Sequence, residues 1–371
     1  MTASVYFWNL RTSRKAPYDV RLRRLLKRVG LNSCFEPGHF VAVKVHFGEK
    51  GTTGFLSPLW LKPFSRFITK AGGRAFFTDT NTLYVGQRGE AVSHSLLAAE
   101  HGFDPNILGA PVLIADGLRS SHEQAVPFYG RHIQTAYIAG DIAAADTMLV
   151  ASHFKGHDLA GFGGALKNIA MGCASRRGKL QQHSGLAPRV NHHLCTGCGQ
   201  CLPVCPAGAL TIDSQSKTLL LDTAQCIGCA ACILACRHNA LQVDWTSSVT
   251  AFQERMAEYA AAVVGCFSQP LVYVNFVTQV TPGCDCIGHS DAPICPDIGI
   301  LASRDPVALD QASCDLVNQS PALTSSALPE SCGPGDDKFQ AVHPETNGGH
   351  LLAYAAELGL GTRGYDLHVV S

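Results

Sequence analysis

The chain has 371 residues, 46% apolar and only 16% charged, enough for two or three packed units rather than one small core. Lys plus Arg and Asp plus Glu number 29 each, so the basic surplus that nucleic-acid binding draws on is missing. Residues 1–15 lack the charged start, apolar stretch and cleavage site of a secretory leader, and the most apolar window, 260–277, is interrupted by Ser268, Gln269, Pro270 and Asn275. We therefore expect a cytoplasmic protein, neither membrane-spanning nor bound to nucleic acid. In that reducing compartment sixteen cysteines point to metal binding rather than disulfides.

In chain order, short β-rich runs at 5–10, 41–46, 74–80, 112–116 and 148–153 alternate with amphipathic segments at 18–29, 58–71 and 88–101. The pair Gly72-Gly73 stops one helix before the next strand. This alternation predicts an α/β fold with a mostly parallel sheet and helices on both faces. The pattern breaks near Pro188, and residues up to Trp245 are dense in Cys and Gly. Beyond them we expect a helix at 249–264, strands at 271–280 and 298–302, a helix at 305–318, an irregular loop at 321–337, a helix at 349–358 and a last strand at 365–370. Residues 1–187 and 246–371 thus read as two parts of one large α/β domain, with a small α+β module, 188–245, inserted between them.

Half of the cysteines fall in that module, in two runs: Cys195, Cys198, Cys201 and Cys205, then Cys226, Cys229, Cys232 and Cys236. The second run repeats the first at an offset of 226 − 195 = 31 residues, and Ala209-Leu210-Thr211-Ile212-Asp213 matches Ala240-Leu241-Gln242-Val243-Asp244 at the same offset. Three cysteines with two residues between successive ones wrap three corners of one cubane, while the fourth, after three intervening residues, points to the other cluster. The spacing therefore assigns Cys195, Cys198, Cys201 and Cys236 to one [4Fe-4S] cluster and Cys226, Cys229, Cys232 and Cys205 to a second. Gly197, Gly199 and Gly228 allow the tight turns that bring N–H groups towards cluster sulfurs. A pair of zinc ribbons would not need the third and fourth cysteine of each run, nor Pro206 after Cys205. The module resembles two-cluster bacterial ferredoxins, except that Arg237 stands where the second run would carry the proline.

In the large domain, polar groups cluster at strand ends, where open parallel sheets hold their ligands. Lys44, His46, Asp79, Asn81, His153, Lys155, His157, Lys167 and Asn168 are the candidate catalytic residues, expected to converge on one crevice; a single strand-end His would more often be structural. The glycine-rich stretch 161–164 is neither a P-loop nor a dinucleotide fingerprint and reads as a flexible strand-to-helix turn. No flavin or nicotinamide signature accompanies it. The strand-end motifs, with Pro296-Asp297-Ile298-Gly299-Ile300 and Asp305-Pro306-Val307-Ala308-Leu309-Asp310, resemble a family described as "uncharacterised Fe-S center protein", a large domain of unknown function joined to a two-cluster ferredoxin module. The resemblance runs from about Val41 to the C-terminus and implies low-potential, anaerobic metabolism without naming a substrate.

Among the remaining cysteines, Cys284 and Cys286 follow the turn Thr281-Pro282-Gly283 and, two residues apart, face one side of an extended chain. With Cys295 and Cys173 they form a candidate third metal site, the competing reading being a redox-active dithiol. Two functions fit the whole. The first is a low-potential electron-transfer protein that passes electrons to a redox partner protein. The second is a redox enzyme or metalloenzyme whose crevice binds a small molecule and is supplied by the clusters.

Overall fold

The computed structural model describes residues 2–184, 187–243 and 248–370. Its first part contains β1 (Ala3–Trp8), α1 (Tyr18–Arg28), β2 (Phe40–Lys44), α2 (Pro58–Lys70), β3 (Arg74–Asp79), α3 (Ala91–Glu100), α4 (Pro105–Leu108), β4 (Val112–Ile114), β5 (Glu123–Pro127), β6 (Thr135–Ala139), α5 (Gly140–Ala143), β7 (Thr147–His153), β8 (Lys155–His157), β9 (Gly161–Gly163), α6 (Ala165–Cys173) and α7 (Arg176–Ser184). The cysteine-rich segment contributes β10 (Arg189–Val190), β11 (Leu210–Ile212), β12 (Leu219–Leu221), α8 (Ala231–Ala235) and β13 (Leu241–Gln242). The chain ends with α9 (Val249–Val264), β14 (Val272–Val277), β15 (Gly299–Ser303), α10 (Pro306–Gln319), α11 (Lys338–Val342), α12 (Gly348–Glu357) and β16 (Tyr365–Val369).

Eight strands form one sheet in the order β16-β1-β15-β14-β7-β2-β3-β4. It is mostly parallel; only β15 runs against both of its neighbours, β1 and β14. Strands β2, β7 and β14 are predominantly apolar, and nearly all their residues are buried, because both faces are covered. Val41 and Val43 pack on one side with α1 and α2 residues such as Leu25 and Phe64, while Ala42 joins the opposite core with Ile169, Met256 and Leu309 of α6, α9 and α10. Residues on α1 show why it forms: Leu22, Leu25 and Leu26 lie on one buried stripe, with Lys27 and Arg28 in its last turn. At α10, the Asp305 side chain accepts from the Ala308 N–H and Pro306 occupies the first turn, a strong helix start. The adjacent parallel strands β14, β7, β2 and β3 all end on one edge of the sheet.

Element types agree with the sequence reading, and several boundaries move for identifiable reasons. The helix expected at 88–101 starts only at Ala91, because Glu90 is its N-cap and accepts from the Val92 and Ser93 N–H groups. The stretch 161–164 is not a loose turn: residues 161–163 pair with β8 as a hairpin, and Gly164 caps α6. The pair β5–β6 and helices α6 and α7 had no counterpart in the sequence reading. Within the cysteine-rich segment, β10 pairs with β13 and β11 with β12, around an apolar cluster of Leu210, Leu219, Ile233 and Leu241 that also takes in Leu83 and Leu180 of the sheet body. Asp244 of the repeat, and the boundary placed at Trp245, lie outside the described residues. No helix among the described residues is long and apolar enough to cross a membrane.

Candidate functional site

At the floor of the crevice Lys44, the last residue of β2, is fully buried. Its Nζ reaches Asp79 Oδ1 at the end of β3 (2.9 Å), Asn168 Oδ1 on α6 (2.8 Å) and the Val45 carbonyl (3.1 Å). Burial alone would raise the Asp79 carboxyl, but the Lys44 ammonium, with Arg88 further off, holds it well below the carboxylate range. Arg88, freed from the start of α3, lies across the wall: Nε donates to Glu49 (3.1 Å), a second nitrogen meets His46 Nε2 (2.9 Å), and the third donates to the Tyr84 hydroxyl (2.6 Å). Burial and then Arg88 keep the His46 ring neutral, well below the usual histidine range.

The far wall is the loop after β14. The Asp285 carboxylate holds His153 Nδ1 (2.8 Å) and Lys155 Nζ (3.1 Å), which overcome its burial and keep it ionised. Residues 284–287 form a turn, closed by the Ile287 N–H on the Cys284 carbonyl (3.0 Å), rather than the extended run expected, and Cys284 and Cys286 both come within reach of His157. The three potential ligand atoms, one ring nitrogen and two sulfurs, lie within 4.8 Å of one another. Lys167 Nζ donates to Cys284 Sγ (3.0 Å), as does the Cys286 N–H (3.4 Å). The Cys286 thiol, then Lys167 and Lys155, stabilise Cys284 as the thiolate against the cost of burying it, and Cys286 keeps the proton. Burial, then Lys167 and His183, holds the His157 ring in its neutral form. These walls enclose a cavity of about 730 Å³, the size of small-molecule sites.

The cavity is lined by His46, Asp79, His153, Lys155, His157, Lys167 and Asn168, with Lys44 directly beneath. Asn81 is a correction: it does not line the cavity, and its side chain bonds Asp116 and the Gly117 carbonyl instead. Cys173 and Cys295 are corrections too, because neither joins the Cys284–Cys286 group. Cys173 packs on Met148 in the core, and burial pushes its thiol up to about 12. Cys295 is buried in the same apolar cluster, likewise pushed up to about 12. Residues outside the candidate set also reach the cavity: Glu49, Tyr84, Arg88, Lys179 and His183. Lys179 hydrogen-bonds Thr80 Oγ1 and the Ala174 carbonyl rather than a carboxylate, and burial lowers it to about 8. Glu49 and Tyr84 sat inside the strand-end motifs, whereas nothing in spacing marked Arg88, Lys179 or His183.

In the module, all eight cysteines are free thiols, as are the other eight of the chain. Cys195, Cys198, Cys201 and Cys236 surround one cavity of about 20 Å³; Cys205, Cys226, Cys229 and Cys232 surround another of the same size. The two halves use one geometry. The Ala209 N–H points to Cys205 Sγ (3.3 Å), as its repeat mate Ala240 does to Cys236 Sγ (3.2 Å). Gly199 and its mate Ala230 both sit at positive φ, 71° and 56°, a conformation that suits glycine and strains alanine. Four thiols around each cavity, with backbone N–H groups aimed at the sulfurs, fit a cysteine-ligated iron–sulfur cluster. The Cys229 side lies near Arg176, whose guanidinium bonds the Thr82 and Gly89 carbonyls beside the crevice.

The family profile described as "Domain of unknown function (DUF362)" matches residues 41–315. The chain belongs to this family. This DUF362 protein also shares structural similarity with the lactate racemase apoprotein from Thermoanaerobacterium thermosaccharolyticum: 15% identity and a TM-score of 0.34, over 50% of this chain and 42% of that one. A protein from Thermotoga maritima is 10% identical with a TM-score of 0.44, over 82% of this chain and 59% of that one. The DUF362 chain thus covers less than two thirds of either structure. No curated protein matches its sequence.

Proposed function

We propose that this DUF362 protein is a cytoplasmic iron–sulfur redox enzyme that binds a small molecule carrying an acidic group in the crevice and serves it with electrons obtained from a redox partner protein. The observation that supports this most is the sorting of eight free thiols into two rings of four, in a module whose apolar cluster takes in Leu83 and Leu180. Cys195, Cys198, Cys201 and Cys236 would hold one [4Fe-4S] cluster, and Cys226, Cys229, Cys232 and Cys205 the other. When bound, such clusters supply single electrons at low potential. The chain's own residues do the rest. Lys179 offers an ammonium to an acidic group, Lys155 and His153 hold the Asp285 loop, and the Lys44–Asp79 pair fixes the floor. An electron carrier that only docks a partner needs no enclosed polar crevice, which is why the geometry favours the enzyme over the carrier.

Anaerobic purification tests the reading. About eight iron and eight sulfide per chain are expected from the four-cysteine rule. The Cys198→Ser variant should lose about half of both, since it touches one ring. Stoichiometric zinc in those rings, with no sulfide, would end the proposal.

A further inference from the structure

We propose that His157, Cys284 and Cys286 form a separate site for a borderline-soft divalent cation of the zinc class, open on its fourth side to the crevice. Two sulfurs and one imidazole nitrogen are a donor set that prefers zinc over hard cations such as magnesium or calcium. Three protein ligands with a free position is the arrangement of a metal that meets substrate, whereas a purely structural zinc is closed by a fourth side chain. His157 and Cys286 line the 730 Å³ cavity, as does Lys167, which bonds Cys284, so that free position faces the space a ligand would occupy.

The site is built rather than incidental, since each donor is held from behind. The Cys284–Cys286 loop is tied to the sheet by the Gly156 N–H to the Thr281 carbonyl (2.9 Å), by the Glu49 N–H to the Asp285 carbonyl (2.9 Å) and by the Tyr84 hydroxyl to the Cys286 carbonyl (2.9 Å). Gly156 lies so close to this loop that a Cβ there would stand 2.1 Å from the Pro282 carbonyl oxygen, so the approach of β8 to the loop demands glycine. On His157, the N–H groups of Leu159 and Ala160 both reach Nδ1 at 3.1 Å, which pins the ring and leaves Nε2 to bind. A cation there takes the place of the proton that Nε2 carries and of the one on the Cys286 thiol. Both protons leave to solvent, so two thiolates and an imidazolate set three negative charges against the ion's two positive ones, and the Lys167 ammonium, 3.0 Å from Cys284 Sγ, offsets the one that remains while hydrogen-bonding the sulfur. Cys173 and Cys295 take no part.

The experiment reads zinc independently of iron, so its failure and failure of the cluster proposal are distinguishable. Full-length protein with its iron and sulfide in place is incubated anaerobically with zinc alone, desalted, and examined by metal analysis and X-ray absorption at the zinc edge. About one zinc per chain is expected, with two sulfur neighbours at ~2.3 Å and a nitrogen at ~2.0–2.1 Å. The Cys284→Ser, Cys286→Ser double variant and His157→Ala should each lose that zinc with iron and sulfide unchanged; Cys332→Ser, in a loop elsewhere, should keep it. The proposal is overturned if the parent retains no zinc, if the double variant binds it undiminished, or if peptide mass analysis finds Cys284 and Cys286 joined as a disulfide after zinc treatment.

Discussion

Three buried cations of the crevice have carboxylates in contact: Lys44 meets Asp79 at 2.9 Å, Arg88 meets Glu49 at 3.1 Å and Lys155 meets Asp285 at 3.1 Å. In the module, eight thiols converge on two cavities whose linings contain no Lys or Arg. The crevice stands on a sheet with an extensive apolar core on each face; the module has a small cluster, centred on residues such as Leu210, Leu219 and Leu241. A region with its charges already neutralised and its core complete keeps its shape alone. One whose polar groups converge on nothing but each other depends on what they bind. The crevice is therefore preorganised by the protein, whereas the module, on the function proposed above, would be organised by the clusters it binds.

The largest effect that can break this comparison is removal of iron. Chelation under reducing conditions should abolish hydrogen-exchange protection in residues 187–243 while β2, β7 and β14 stay protected. A module that keeps its protection without iron would show that its apolar cluster suffices. Next in size is Lys44→Met, which leaves the Asp79 carboxylate buried beside Arg88 alone, 3.7 Å away. It should destabilise the sheet body by ~3–5 kcal/mol in denaturant titration, with iron content unaffected. Smaller, and reading the crevice's charge, is a pH effect at Lys179. Burial lowers this lysine from 10.5 to about 8, so the folded chain releases its proton before the unfolded chain does. Stability should therefore rise between about pH 8 and 10.5, whereas affinity for an acidic ligand should fall as pH climbs through about 8. Lys179→Met should flatten both profiles; a pH dependence that survives the substitution would assign the titration elsewhere.

How much of this was legible depended on the distance over which each signal acts. Strand and helix types followed from local periodicity, and the α10 start from Asp305-Pro306, because caps and propensities act within a few residues. Asn81 was misplaced because a position just past a strand end does not say which way its side chain turns, and only the hydrogen bonds to Asp116 and the Gly117 carbonyl settle it. Arg88 and Lys179 carried no mark, since a lone basic residue in a helical stretch looks solvated until the neighbouring element covers it.

By itself the sequence determined which cysteines stand together in the module. Ligands three residues apart share one loop, and the 31-residue repeat brings the fourth of each run across to the other ring. The sequence put Cys284 and Cys286 on one side only on the premise of an extended chain, whereas the segment is a turn closed by the Ile287 N–H on the Cys284 carbonyl. Only the tertiary structure decided that their companion is His157 rather than Cys173 or Cys295. That choice rests on β8 and the loop after β14 meeting across a glycine, a contact between segments far apart in the chain for which no local spacing carries a signal.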